Sequence, residues 1–195
     1  METIPEISQK NQKRAYEVIE QANIIPIWKS VGAKINLIGS LKTGLMMTHR
    51  DIDFHIYTPQ FNISDSFAAM GKLAENPSIT RIEYANYIET EEECIEWHAW
   101  YKDKDGELWQ IDMIHIRQGS KYDGYFEKGA DRINTILTQE QRETILRLKY
   151  ETPSTEKIGG VEYYMAVIRD GIRNYPDFEI WRKGYTAEAG MNWMP

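Results

Sequence analysis

Cysteine is nearly absent: the single thiol, Cys94, can neither close an internal disulfide nor build a multi-cysteine metal site, which excludes zinc ribbons and dithiol redox motifs. A small buried hydrophobe is the expected role for it. No apolar run approaches the roughly 20 residues a membrane helix requires. The opening residues Met1-Glu2-Thr3-Ile4-Pro5-Glu6 also lack the basic and then apolar profile of a signal peptide, so a cytoplasmic location is expected. Neither an internal repeat nor a low-complexity stretch interrupts the chain, which argues against solenoid and disordered classes. Long basic runs are missing too, and 23 Lys and Arg against 30 Asp and Glu leave a formal net charge of −7. Binding to a polyanion depends on clustered cations, so a long nucleic acid is disfavoured as partner, whereas a nucleotide needs only a local cationic pocket.

What is present is a globular composition, 195 residues with 42% hydrophobic and 27% charged, enough for one compact core with a small helical appendage. Ser8 is read as the cap of a helix to about Asn23, with Ala15, Val18, Ile19 and Ala22 at three- and four-residue spacing. Lys34 to Ile38 and Asp51 to Tyr57 read as strands. A short helix from Ser64 and Asp65 to about Glu75 and a strand from Ile79 to Ile88 follow. Ile95 to Tyr101 and Leu108 to Ile116 flank a polar turn ending in Asp105-Gly106, the pattern of an antiparallel hairpin. These segments predict an α/β (α+β) fold with a mixed sheet of about five strands.

From Tyr122 onward the pattern is helical, with Thr138 and Gln141 forming a capping box. Ser154 or Thr155 is expected to cap a further helix to about Asn174, ended by Tyr175-Pro176. The composition shift near Gly119 divides the chain into a sheet-bearing part, 1–118, and a helical part, 119–195.

Asp51 and Asp53 are two residues apart on one strand, so both carboxylates project from one face while Ile52, Phe54 and Ile56 project from the other. Adjacent like charges repel unless a cation lies between them, and hard carboxylate oxygens suit magnesium or manganese. Asp112 interrupts the apolar run Trp109-Gln110-Ile111-Asp112-Met113-Ile114, where a bare carboxylate is costly. If its strand lies beside that of Asp51, the three form a cluster able to hold two metal ions. Upstream, Gly39 and Ser40 end a strand, with Lys42 close by. Glycine admits close backbone approach, the Ser40 hydroxyl and free amides suit phosphate oxygens, and Lys42 supplies a cation.

Ile38-Gly39-Ser40, ten intervening residues, Asp51-Ile52-Asp53-Phe54 and the isolated Asp112 together resemble the signature of the DNA polymerase beta-type nucleotidyltransferase superfamily, over about residues 33–116. The stretch His49-Arg50-Asp51-Ile52-Asp53 also resembles the version found in the small lincosamide and aminoglycoside nucleotidyltransferases, although those usually have Gly-Gly where this chain has Gly39-Ser40. The resemblance implies a minimal nucleotidyltransferase fold; the catalytic core is expected over 1–118, with the helical part 119–195 shaping the cleft. It implies Asp51, Asp53 and Asp112 as catalytic residues and ligands of Mg2+ (or Mn2+), with Ser40 near the triphosphate. The implied reaction moves a nucleoside monophosphate from a nucleoside triphosphate, such as ATP, to a hydroxyl of a small-molecule acceptor and releases pyrophosphate. A nucleotide-binding module with little turnover, or a transferase acting on a protein partner, are the alternatives.

Gly39, Ser40, Lys42, His49 and Arg50 form the expected donor-binding set. His49 and Arg50 are read equally as phosphate contacts or as electrostatic balance beside the carboxylates. His55 shares the carboxylate face and is read as a hydrogen-bonded sheet residue. Lys149 and Lys157 are secondary candidates for the triphosphate. Tyr163, Tyr164 and Trp181 are read first as core aromatics, and the acidic stretch Glu89 to Glu96 as a solvated loop.

Overall fold

A computed structural model describes residues 2–195. The first helix, α1 (Ile4–Gln21), begins earlier than its periodicity predicts, because Thr3 and Glu6 close a reciprocal capping box and Pro5 lies in the first turn. Ser8, the expected cap, is buried inside the helix and donates 2.7 Å to the Met46 carbonyl. A short helix, α2 (Ile24–Lys29), follows from Asn23 in the left-handed conformation; six residues are too few for a periodic pattern to announce it.

Five strands form one mixed sheet: β1 (Lys34–Ile38), β2 (Asp51–Tyr57), β3 (Ile79–Tyr87), β4 (Cys94–Lys102) and β5 (Leu108–Ile116), in the order β1-β2-β5-β4-β3. The β2–β5 pair is parallel and the other pairs are antiparallel. The predicted hairpin is β4 and β5, and Cys94 is a buried free thiol, as expected. One face of the sheet packs on α1, α2 and α4 (Ile63–Ala74, capped by Asn62), around Trp28, Ile52, Phe54, Trp109 and Ile111. The full burial of Ile52, Phe54 and Ile56, against partial exposure of Asp51 and Asp53, is the two-residue alternation read from the sequence.

On the opposite face α5 (Tyr125–Ile136) crosses β1 and β2. Glu127 anchors it, accepting from Asn36 Nδ2 (3.1 Å) and Tyr57 Oη (2.9 Å) and meeting His55 Nδ1 at 3.1 Å. Burial raises the Glu127 pKa, but the hydrogen bond and charge of His55 and the Asn36 bond outweigh it and hold the carboxyl at about 2.

A second core gathers Leu45, Met47, Ile145, Leu148, Tyr163 and Phe178 between α6 (Gln139–Glu151), α7 (Gly160–Tyr164) and α8 (Tyr175–Arg182). The capping box of Thr138 and Gln141 starts α6 as predicted. The helix expected from Ser154 or Thr155 is shorter: 152–159 is non-helical, α7 begins at Gly160, and it runs into a π-helical turn, Met165–Arg169. Tyr175-Pro176 starts a helix where an end was expected, because Asn174 caps α8 and a proline in the first turn forfeits no helical hydrogen bond.

The two cores are stitched by the segment between Lys42 and Asp51. Leu45 and Met47 enter the helical core while Met46 enters the sheet core. Its carbonyls from Thr43 to Met47 are held by Ser8, Asn11, Arg142 and Lys149. No helix among the described residues is long and apolar enough to cross a membrane.

Candidate active site

At the end of β1 the chain turns at Gly39, with φ +68°, into a single helical turn, α3 (Gly39–Lys42). A Cβ at Gly39 would overlap the Asp53 carboxylate, so the position requires glycine both for its backbone angle and for the space. Asp53 lies opposite Ile38 on β1 and opposite Asp112 on β5, and Asp51 lies opposite Gln110. The strand pairing on which the Asp112 reading depends is therefore present.

Burial, and then the charges of Asp51 and Asp112, push the Asp53 carboxyl up to about 8, with Lys149 acting in the opposite direction. Asp51 Oδ1 is buried with no hydrogen-bond partner. A buried, partnerless anionic oxygen beside a second crowded carboxylate fits a hard divalent cation. Asp112 is differently placed. His98 Nδ1 lies 2.6 Å from its Oδ1, and Gln110 Nε2 donates to Oδ1 (2.9 Å) and Oδ2 (3.2 Å). The ring nitrogen of His98 must carry the proton, because a carboxylate only accepts. Among the described residues no group of three His, Cys, Asp or Glu side chains is arranged to hold one metal ion. Asp53 and Asp112 face each other across the β2–β5 pair, and the Asp112 oxygens carry hydrogen bonds of the kind that metal-ligating carboxylates commonly have.

Beyond Asp51 and Asp53 opens a cavity of about 440 Å3, floored by Gly39 and Ser40 and walled by Tyr125 and Phe126 of α5, Lys149 of α6 and Tyr163 and Tyr164 of α7. The C-terminal residues close it, with α9 (Ala187–Met191) contributing Ala187, Gly190 and Met191, followed by Trp193, Met194 and Pro195. Lys149 Nζ donates 3.0 Å to the Leu45 carbonyl and lies 5.6 and 5.3 Å from the ring centres of Tyr163 and Tyr164. Tyr163 Oη is bonded to Thr152 Oγ1 at 2.8 Å, whereas the buried Tyr164 hydroxyl has no partner.

Neither a model of a known protein family nor a curated protein matches the sequence. Solved structures do match in three dimensions. The Cid1 poly(U) polymerase with MgGTP bound superposes with a TM-score of 0.63 at 14% identity, over 83% of this chain and 50% of that one. A cytoplasmic RNA terminal U-transferase gives 0.50 at 13% identity, over 82% and 51%. The GLD-2/RNP-8 complex gives 0.56 at 7% identity, over 81% and 59%. The chain has a nucleotidyltransferase fold. It spans between 50% and 59% of the length of those structures.

Within this nucleotidyltransferase fold the expected donor-binding residues divide. Gly39, Ser40 and His49 line the cavity. Lys42 does not; it is exposed and pairs with Asp131 of α5 at 3.5 Å. Arg50 also stays outside, pairing with Glu107 at 2.8 Å, its Nε buried without a partner. His55 is buried on Glu127, and Lys157 is exposed outside the cavity. Trp181 donates to Asp170 at 2.7 Å outside the cavity, and in the acidic loop Glu93 pairs with Arg117 at 2.9 Å. His98, Gln110 and the C-terminal wall escaped the sequence reading. Counting across the β4–β5 hairpin from the Lys102–Leu108 pair places His98 opposite Asp112, so that contact was available from the turn. The wall depends on long-range packing that local patterns do not encode.

Proposed function

We propose that the protein is a metal-dependent nucleotidyltransferase that moves a nucleoside monophosphate from a nucleoside triphosphate to an acceptor hydroxyl. The observation that carries this reading is the buried, partnerless Asp51 oxygen beside the crowded Asp53 carboxylate, at the Gly39-Ser40 turn and the mouth of the cavity. Asp51, Asp53 and Asp112 would hold Mg2+ (or Mn2+), which when bound supplies neutralisation of phosphate charge. Ser40 and Lys149 bind the triphosphate, and the aromatic walls exclude water from it. Asp112 accepts the proton of the acceptor hydroxyl as its oxygen bonds to the α-phosphorus. The bond from that phosphorus to the bridging oxygen breaks, and pyrophosphate leaves. In this reading 1–118 carries the chemistry and 119–195 shapes the cleft, which the lining residues from α5, α6 and α7 support.

A small-molecule acceptor fits the net charge of −7, and the His49-Arg50-Asp51-Ile52-Asp53 stretch supports an antibiotic of the lincosamide or aminoglycoside kind. The RNA-directed names of the fold neighbours support a second reading, an RNA 3′ hydroxyl. Incubation with each α-labelled nucleoside triphosphate, Mg2+ and separate pools of aminoglycosides, lincosamides and short RNAs decides between them. Label transferred to one pool with matching pyrophosphate identifies the acceptor. Saturable nucleotide binding without transfer to any pool rejects the enzyme reading in favour of a binding module.

A further inference from the structure

The two edges of the sheet differ in kind. β1 is five residues long, whereas β3 runs for nine, Ile79–Tyr87, with β4 as its only neighbouring strand. Among the described residues no backbone group of 80–86 bonds outside the β3–β4 ladder. A long free edge offers its unpaired N–H and C=O groups to a further strand, and proteins usually guard it with proline, lysine or a covering element. β3 contains neither residue, and its one irregularity lies between Ile79 and Arg81, at the beginning.

The side chains along this edge are sorted by face. Tyr84 is 40% exposed and Phe67 of α4 is 49% exposed. Their rings lie 5.0 Å apart, each 4.8 Å from the buried Trp97. Ile82, two residues from Tyr84 and so on the same face, packs partly buried against the sheet core. These half-open rings carry apolar surface out to where a further strand would lie. Arg81 and Glu83 lie on the other face, opposite Trp100 and His98, and their side chains are 60% and 45% exposed. They bond to each other, and the Arg81 guanidinium lies 4.3 Å over the Trp100 ring. As the only charged residues of β3, they leave this edge neutral on a chain of net charge −7, so two copies meet here without the repulsion that the rest of the surface carries.

The order of the charges selects the partner. Arg81 and Glu83 stand one residue either side of Ile82, so a second copy running antiparallel about a two-fold axis at Ile82 sets each Arg81 opposite the other copy's Glu83. The four charges then alternate in sign, Ile82 meets Ile82 on the opposite face, and the Phe67–Tyr84 rings of the two copies flank that contact. We infer that β3 is a self-pairing edge through which two copies of this chain join their five-stranded sheets into one continuous sheet. An arbitrary extended peptide would use the same backbone groups without matching the charges. This pairing is independent of metal binding and of nucleotidyl transfer.

Sedimentation velocity of the parent is expected to show a reversible dimer with a dissociation constant of about 1–100 μM, as a small interface gives. Arg81→Glu and Glu83→Arg each set like charges opposite each other at two positions and are expected to weaken the dimer at least about tenfold. Both positions are exposed, so the substitutions leave the fold intact. Mixed in equal amounts, the two variants again face each other with opposite charges at both positions, and heterodimers of about the parent's affinity are expected by native mass spectrometry. Neither variant keeps the ion pair within its own strand, so recovery in the mixture reports pairing between copies. A parent that stays monomeric to about 500 μM overturns the inference. Single variants that dimerise like the parent overturn it too, as does a mixture that stays monomeric while the parent dimerises.

Discussion

Asp53 shows at the residue scale how a site can oppose the fold that carries it. Its carboxyl pKa is raised from 3.8 to about 8, first by burial and then by Asp51 and Asp112. The folded chain therefore binds a proton there that the unfolded chain has released. Any stability gained from that proton is complete below about 3.8, declines as pH rises, and is lost once pH passes about 8. Asp53→Asn removes the charge, so in metal-free buffer at pH 8 it is expected to stabilise the protein by about 1–2 kcal/mol, or roughly 2–8 °C in melting temperature. The same variant is expected to lose the thermal shift that Mg2+ with nucleotide gives the parent. Calorimetry with and without the ligand checks both. Gly39→Ala is expected to do the reverse, destabilising by about 1–3 kcal/mol because the added methyl meets Asp53 and the backbone holds φ at +68°.

His115 makes a second prediction at this scale. It is fully buried between Thr58 and Ser66, and burial depresses its pKa to about 4. A depressed histidine contributes stability that is present above the unfolded value of 6.5 and is lost as pH falls through about 4. Melting temperature is expected to drop across that window, with the His115 ring resonances titrating near 4.

Among the elements, α5 forms a wall of the cavity. Its hold on the sheet runs through Glu127, which joins Asn36, His55 and Tyr57, while its neighbours Tyr125 and Phe126 line the cavity. Glu127→Gln leaves a buried cluster with mismatched donors and is expected to cost about 1–3 kcal/mol. Nucleotide affinity is expected to fall severalfold as the wall loosens, measurable by calorimetric titration.

The elements also explain what was legible in the sequence. β1, β2 and β5 were readable to the residue, because burial on one face imposes strict alternation on Asp51-Ile52-Asp53-Phe54. The start of α1 was misread because Ser8 is a good cap by type, yet the competing pair Thr3 and Glu6 satisfies two backbone donors at once. The π-helical turn at Met165–Arg169 has no sequence mark, since its widened hydrogen bonding answers to packing in the helical core. Asp51 and Asp53 are visible as a pair, whereas of the donors on Asp112 Gln110 lies on its own strand and His98 reaches it only through the β4–β5 register.

For the whole molecule, the cleft lies where two hydrophobic cores meet, and Lys149 of the helical core bonds the Leu45 carbonyl, in the segment that joins the two, while lining the cavity. Lys149→Met is expected to weaken nucleoside triphosphate binding by about ten- to a hundredfold, since no other Lys or Arg lines the cavity. The C-terminal segment from Tyr185 to Pro195 completes the enclosure, so the cavity belongs to the assembled fold and not to the sheet alone.

The central claim is that the carboxylates of β2 make this fold a working transferase, and single-turnover transfer from an α-labelled nucleoside triphosphate tests it most directly. With Mg2+ and the acceptor, the parent is expected to incorporate one nucleotidyl label for each pyrophosphate released, and Asp53→Asn to do neither above background. Equal incorporation by the parent and Asp53→Asn would contradict the account.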